Sequence, residues 1–454
     1  MTAPSAVSRE RLWRINITII IVNKNLISDF KGPLAVGVPG ELKGYWEAHK
    51  RFGRLPWAQV VHPTVEMCER GYRISKHQVD SLTIDEDNIK QDSTLRDVFI
   101  EPKTGNFWRE GSLIQNEKIC KTLRVIEEKG GDELYRGKLA HDLVKDIQDM
   151  GGIMTLEDLS NYRVRWSDPV EVSLLGDLLL HTTPLPSSGP LLAFILSVID
   201  AFGPLSVNNV SSTITTYHRI TEVFKYAFAH RGKLGDPYFA DVHEVMKNLT
   251  SRDFAKWIRK QIKDDSTSND PAHYQTESSI SPDNHGTAHV SVIAPDGDAV
   301  SITSSINLYF GAGFASKSTG IILNSCMDDF SIAGFENYFG IPPSEANRIS
   351  ANKKALSSMA PAIIVEGRGN VRMVIGAAGG TKIPTAIALV ISKLPVGNQP
   401  DYSIEQVLHG LKMLGHKLSR YRERGSIVSA IAKQGAHLFA NVDYRKGGEV
   451  LGLN

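Results

Sequence analysis

Cysteine is scarce in this chain: Cys68, Cys120 and Cys326 are the only three in 454 residues. They are too few and too scattered for a disulfide framework, and none belongs to a CxxC pair that would suggest zinc, so the redox compartment stays open. An excess of charge of one sign is also lacking. With 51 basic against 50 acidic side chains the formal net charge is +1, so nucleic acid and anionic membranes are not expected partners and the substrate must be sought in a local site. Long hydrophobic runs are missing too. The apolar stretch Ile15 to Val22 is broken by Asn16 and Thr18, falls well short of the ~20 residues of a membrane span, and lacks a small-residue cleavage site after it. It reads as a β-strand, which leaves no visible anchor or export signal. The sequons at Asn16, Asn209 and Asn248 would be glycan acceptors in a secreted chain.

What is present is a soluble globular composition, 41% hydrophobic and 22% charged, without internal repeats. Lys31 to Tyr45 has the Gly and Pro density of a loop and leads into helical residues around Trp46 to Phe52, followed by a helix through Val60 to Gly71. From Asp80 to about Ile153 apolar residues recur at spacings of three and four, which predicts a helix-rich flank. Thr155-Leu156-Glu157-Asp158 reads as a helix cap ahead of a strand run near Val170 to Leu180. A loop from Thr183 to Pro190 opens the apolar helix Leu191 to Phe202, and TYHRITEVFKYAFAHRGKLGDP is an amphipathic helix stopped at Gly235-Asp236-Pro237. The polar stretch Ser266 to His285 is a surface connector suited to a processing site. Strands are then expected at Gly320 to Asn324, Ala362 to Val365 and Arg372 to Ala377, with a helix through Ile391. The chain closes on a helix near Ile404 to Leu418 and strands at Ile427 to Ala432 and His437 to Asn441.

The stretch Asp283 to Gly313 organises the rest. HVSVIA and AVSITSSI alternate apolar and polar residues around the turn tetrad Pro295-Asp296-Gly297-Asp298, so the segment is a β-hairpin with Thr287 at its head. Gly286 lacks a Cβ, which leaves the Gly286-Thr287 bond open to attack by a neighbouring hydroxyl. Cleavage there would give Thr287 a hydroxyl nucleophile and a free α-amine base on one residue. Taken alone, threonine at a strand head is an ordinary β-former.

Three further stretches carry residues of the right kinds. In VIGAAGGTKIPTA, Gly379 and Gly380 leave backbone N–H groups uncovered at a helix N-terminus, where negative charge can be stabilised. Ser357-Ser358 in ALSSMAP offers paired hydroxyls for a carboxylate. Asp328-Asp329 in SCMDDFS, with Asn307 and Ser305 at the hairpin's end, offers acceptors for an ammonium group.

GTAHVSV, SSINLYFG, MDDFS, LSSMAP and GAAGGT, in this order, resemble the γ-glutamyltransferases, also called glutathione hydrolases. So do GPLAVGVPGE, GYWEAHKRFGRLPW, DIQDMGGIMTLEDLSNY, PLPSSGP, TYHRITEVFKYAFAHRGKLGDP and the terminal RKGGE, from about Gly32 onward. The resemblance implies an N-terminal-nucleophile (Ntn) hydrolase fold, a four-layer αββα sandwich made as one precursor that cuts itself. Residues 1–286 would be the large subunit and 287–454 the small one, both within one domain. By the same resemblance Thr287 is the nucleophile, Gly379 and Gly380 form the oxyanion hole, and Ser357 and Ser358 bind the donor's α-carboxylate. Asn307 and Asp329 would hold its α-amino group, with Ser305 standing where many relatives have threonine.

The implied substrates are glutathione and other γ-glutamyl compounds, with water, amino acids or dipeptides as acceptors and with no metal or cofactor. The implied location is the outer face of the plasma membrane. Three departures stand out. Cys326 occupies the position of a glutamate that helps bind the α-amino group. Residues 1–31 do not match the family region that supplies an anchor and a carboxylate-clamping arginine. The small subunit is shortened near 392–400, where ALVISKL passes directly to PVGNQPDYSIEQ. These departures define the alternative, an inactive family isoform or paralogue with a binding or regulatory role.

Overall fold

The computed structural model describes residues 31–274, 286–332, 334, 343–367, 369–392, 403–419 and 425–452. The strand expected at Ile15 to Val22, the second half of the Ser266 to His285 connector and the shortened segment after Ser392 lie outside these residues. In chain order the strands are β1 (Tyr72–Arg73), β2 (Leu113–Ile114), β3 (Val170–Leu174), β4 (Leu178–Thr182), β5 (Thr287–Ile293) and β6 (Ala299–Ser305). They continue with β7 (Ala362–Glu366), β8 (Asn370–Ala378), β9 (Ile427–Gln434) and β10 (His437–Val442).

Six of these strands form an antiparallel sheet in the order β10-β9-β8-β7-β4-β3. The single strand run expected near Val170 to Leu180 is in fact the hairpin β3–β4, because Gly176 and Asp177 both take positive φ and turn the chain. The expected strand Gly320 to Asn324 is not a strand: it contributes one isolated bridge, Ala315 to Ile322, within loop structure. The short pair β1–β2 interrupts the helical flank, where no strand was expected.

The period of two along β8 separates its faces. Met373, Ile375 and Ala377 join the core beneath the helices Gly189–Asp200 and Ile383–Ile391. The first of these helices, GPLLAFILSVID, is apolar all round and is buried on every side, as such a helix must be. Gly376 points the other way, and a Cβ there would meet the His289 ring at 2.2 Å. The hairpin β5–β6 lies on that second face, tied down by Ser291 Oγ to the Val374 carbonyl (3.3 Å) and Ser301 Oγ to the Ile375 carbonyl (3.0 Å). Beyond the hairpin, Arg54 follows the helix Glu41–Phe52 and pairs with Asp296 and Asp298 at the hairpin turn (3.5 and 3.7 Å). Helix, sheet, hairpin and helix thus follow in the order of an αββα stack.

The expected cap at Thr155 is present as a capping box with Asp158. The three cysteines, expected to be too few and too scattered for a disulfide framework, nevertheless include one bonded pair. Cys68 and Cys120 form a disulfide across 52 residues of sequence, because the helices Trp57–Arg70 and Glu117–Lys129 pack side by side. Cys326 remains a free, buried thiol.

Candidate active site

Thr287 opens β5 and is only 6% exposed. Across the hairpin it is in register with Ser305, and the two hydroxyls lie 3.0 Å apart. Ser305 Oγ also donates to the Gly286 carbonyl (3.3 Å) and accepts from the Asn307 backbone N–H (2.9 Å), so one hydroxyl organises both sides of the Gly286-Thr287 bond. Gly286 has φ +50° and passes so close to the following loop that a Cβ would sit 2.3 Å from the Leu308 carbonyl and 2.4 Å from that of Asn307. Asn307 also takes a left-handed conformation, φ +72°, stabilised by its side-chain amide donating to the Ser325 carbonyl (3.1 Å). A non-glycine residue held in the left-handed region beside the nucleophile's strand is a reason to look there for function.

β8 ends at Ala378, and Gly379 then takes φ +137° ahead of the short turn Gly380–Lys382. A Cβ on Gly379 would meet Ser426 Oγ at 2.5 Å, so both conformation and space require glycine. Thr287 and Gly379 line one cavity of about 250 Å³, together with Gly286, His77, Tyr309 and Lys446. Gly380 begins the next turn and is not part of the wall.

Lys446 was not singled out in the sequence, although it stands in the RKGGE motif. Its ammonium donates to the Thr287 carbonyl oxygen. Burial lowers its pKa to about 8. Arg445 beside it pairs with Asp443 and donates to the Ser426 carbonyl (2.7 Å), so the motif is anchored on the strand next to Gly379. His289 faces the same region, and burial, with Lys446 as a smaller cause, lowers its pKa to about 4, so its imidazole is neutral.

The remaining candidates form a second group outside that cavity wall. The short turn Cys326–Asp329 carries Asp329, whose carbonyl accepts from the Asn347 amide (2.7 Å); the same amide's oxygen accepts from Leu356 N–H (2.9 Å), just before Ser357. Ser357 Oγ accepts from Met359 N–H (3.2 Å), and its own N–H donates to the Pro186 carbonyl (2.7 Å). Ser188 Oγ donates to the Ser357 carbonyl (2.7 Å), so PLPSSGP fastens the LSSMAP loop.

Ser358 Oγ accepts from Arg231 (3.2 Å), a second residue the sequence reading passed over. Arg231 ends the helix Val210–Arg231, where a basic residue usually caps the helix in solvent, yet here it is buried. Burial lowers its pKa to about 10, with Asp329 acting in the opposite direction. Burial raises Asp329 to about 7, opposed by Arg231. Arg231 therefore bonds Ser358 and acts electrostatically on the Asp329 carboxylate. Burial and Asp329 also raise the Cys326 thiol, which stays neutral where the family resemblance has a charged glutamate.

One cluster among the described residues has metal-ligand composition: His218, Glu222 and His416, with ligand atoms within 4.8 Å of one another. Its members are hydrogen-bonded to one another and to their neighbours. His218 bonds His416 (2.8 Å) and the Lys263 carbonyl (2.6 Å), while Glu222 accepts from Lys225 (2.9 Å) and Tyr274 (2.8 Å). The Lys225 ammonium already balances the carboxylate, so the trio reads as a structural network.

A family model described as gamma-glutamyltranspeptidase matches residues 2–405, beginning well ahead of the first motif at Gly32. Scoloptoxin SSD14 from Scolopendra dehaani is 38% identical over 455 residues, covering 95% of this chain and 78% of that one. Glutathione hydrolase proenzyme 2 from Schizosaccharomyces pombe is 32% identical over 468 residues, 96% of this chain and 74% of that one. In structure, the cephalosporin acylase from Bacillus halodurans superposes with a TM-score of 0.79 over 100% of this chain and 83% of that one; at 21% identity the likeness is one of fold.

Proposed function

The chain belongs to the gamma-glutamyltranspeptidase family and has the Ntn-hydrolase α/β fold, and from that premise we propose that it cleaves γ-glutamyl amides by threonine acyl transfer. The precursor is cut between Gly286 and Thr287. The Thr287 hydroxyl then attacks the γ-glutamyl carbonyl, and its freed α-amine takes the proton. The amine of the substrate leaves as the acyl-enzyme forms, and water, an amino acid or a dipeptide receives the γ-glutamyl group. Glutathione is the donor suggested by the relative's name. The observation that carries this reading is the shared cavity of Thr287 and Gly379, with Ser305 bonded to the nucleophile.

The other roles follow the family positions. Backbone N–H groups at Gly379 and Gly380 receive the oxyanion. Ser357 and Ser358 bind the α-carboxylate. Asn307 and Asp329 hold the α-amino group, with Arg231 supporting Ser358 and Asp329 from behind. Cys326 supplies no charge, which removes one charge-assisted hydrogen bond, worth about 1.5–3 kcal/mol, from donor binding.

Location at the outer face of the plasma membrane is part of this proposal. The Cys68–Cys120 disulfide supports an oxidising compartment. No helix of the described residues is long and apolar enough to cross a membrane.

The experiment is the release of a chromogenic amine from a γ-glutamyl anilide by the purified protein, with Thr287→Ala as control. Release by the wild type and silence of the variant support the reading; equal rates sink it. A second reading, an inactive isoform that keeps the core, is favoured by one observation. The hairpin turns its polar face to the sheet and leaves Val290, Val292, Val300 and Ile302 between 38% and 56% exposed.

A further inference from the structure

The RKGGE segment has no part in the roles assigned above, yet it reaches the nucleophile. Arg445 is locked by its pairing with Asp443 and its bond to the Ser426 carbonyl, and this anchorage delivers the next side chain, Lys446, into the cavity. There its ammonium donates to the carbonyl of Thr287 itself. The α-nitrogen of Thr287 belongs to the same residue as that carbonyl, two bonds from the carbonyl carbon. Once the Gly286-Thr287 bond is cut, that nitrogen becomes an amine on the same residue whose carbonyl the part-buried Lys446 ammonium holds.

An amine can act as a base only while unprotonated, and a free α-amine in water has a pKa of about 7.7–8.0, so at neutral pH most of it would be spent as ammonium. A nearby like charge opposes that protonation, and it does so strongly where water is excluded. We infer that Lys446 is a positioning residue for the Thr287 base: it fixes the Thr287 carbonyl by hydrogen bond, and its charge keeps the freed α-amine in the unprotonated, proton-accepting form. The inference rests on the reading that Thr287 is the processed nucleophile.

Other titratable groups face the site from each element around it. His77 comes from the helix Lys76–Ile84 and Tyr309 from the loop after β6, while His289 lies along β5. His289 is neutral, since burial lowers its pKa to about 4, so it does not substitute for the Lys446 charge. Asp443 is held by Arg445 and remains outside the cavity wall. Lys446 and the α-amine titrate as a coupled pair, and the acid limb of the rate profile reports the pair.

The test is the pH dependence of kcat/KM for γ-glutamyl anilide hydrolysis in the wild type, Lys446→Arg, Lys446→Met and Lys446→Gln, each first checked by mass for a fragment beginning at Thr287. Lys446→Arg keeps the charge, and its acid limb should stay with the wild type. Lys446→Met removes the charge at similar length, and Lys446→Gln removes it while keeping an N–H donor for the Thr287 carbonyl. In the neutral variants the acid limb should move to higher pH by ~1 unit or more. A residue with only a structural role would lower the rate at every pH and leave the limb in place. Processed neutral variants with an unmoved limb overturn the inference while leaving the proposed function standing. A wild-type chain that stays intact has no such amine, and overturns both.

Discussion

The hydroxyl of Ser305 lies 3.0 Å from that of Thr287 and also donates to the Gly286 carbonyl, so the nucleophile and the bond that releases it share one partner. Ser305→Ala removes both bonds and leaves the Asn307 N–H without its acceptor. A lost bond of this kind costs about 1–2 kcal/mol, so self-cleavage and turnover should both slow by roughly 5- to 30-fold. Ser305→Thr retains the oxygen and should restore most of the rate. The appearance of cleaved fragments over time measures the first effect, and unchanged cleavage in Ser305→Ala would show that the contact is incidental.

Gly379 is the second point where one atom decides. Its φ of +137° and the 2.5 Å approach of Ser426 Oγ to any Cβ predict that Gly379→Ala loses about 1–3 kcal/mol of stability and at least ~100-fold in turnover. Gly44→Ala is the control, because Gly44 lies in the helix Glu41–Phe52 with open space around its Cβ position. That change should be neutral or stabilise by up to ~1 kcal/mol. Thermal melts of the two variants, side by side, check the contrast.

Asp329 predicts a pH dependence. Burial raises its carboxyl from 3.8 to about 7, so between those values the folded chain retains a proton that the unfolded chain has lost. The stability it contributes is therefore full below about pH 4 and is lost as pH rises through about 7. Asp329→Asn has no such loss. Its Tm relative to wild type should climb from about pH 5 to about pH 8, while γ-glutamyl turnover falls because the donor's ammonium has lost its partner. A Tm difference that does not change with pH would contradict the burial assigned to this carboxyl.

Arg231→Gln removes the charge opposite Asp329 and the donor to Ser358. Losing a charge-assisted hydrogen bond of this kind costs about 1.5–3 kcal/mol. If Arg231 holds the carboxylate-binding serine in place, KM for the γ-glutamyl donor should rise more than kcat falls. Steady-state kinetics over a range of donor concentrations separates the two constants.

The Cys68–Cys120 disulfide closes 52 residues of chain. On the chain-entropy view a loop of that length is worth about 4 kcal/mol, so Cys68→Ser should lower the Tm clearly, and mild reduction should do the same to the wild type. Equal melting with and without reductant would show that the bridge contributes nothing.

Much of the site was legible because local pattern and chemistry coincide there. Alternation around Pro295-Asp296-Gly297-Asp298 gives the hairpin with Thr287 at its head, and a strand running into Gly379-Gly380 gives the turn. What stayed hidden depends on distance in sequence. Cys68 and Cys120 meet through helix packing that no spacing rule encodes. Arg231 looks like an ordinary helix-terminal cation, and only its burial and its bond to Ser358 reveal more. Lys446 had a signal, its place in a family motif, but nothing local places its ammonium on Thr287. Gly320 to Asn324 has strand composition, yet its backbone bonds to residues 312–316 close only one isolated bridge.

The most direct measurement is N-terminal sequencing, with intact mass, of the purified protein after incubation. Scission at Gly286-Thr287 predicts a fragment whose first residue is Thr287, its absence in Thr287→Ala, and γ-glutamyl anilide hydrolysis that appears together with it. A chain that stays at its full 50.0 kDa, or that is cut elsewhere while hydrolysis proceeds, would contradict the assignment of Thr287 as the nucleophile.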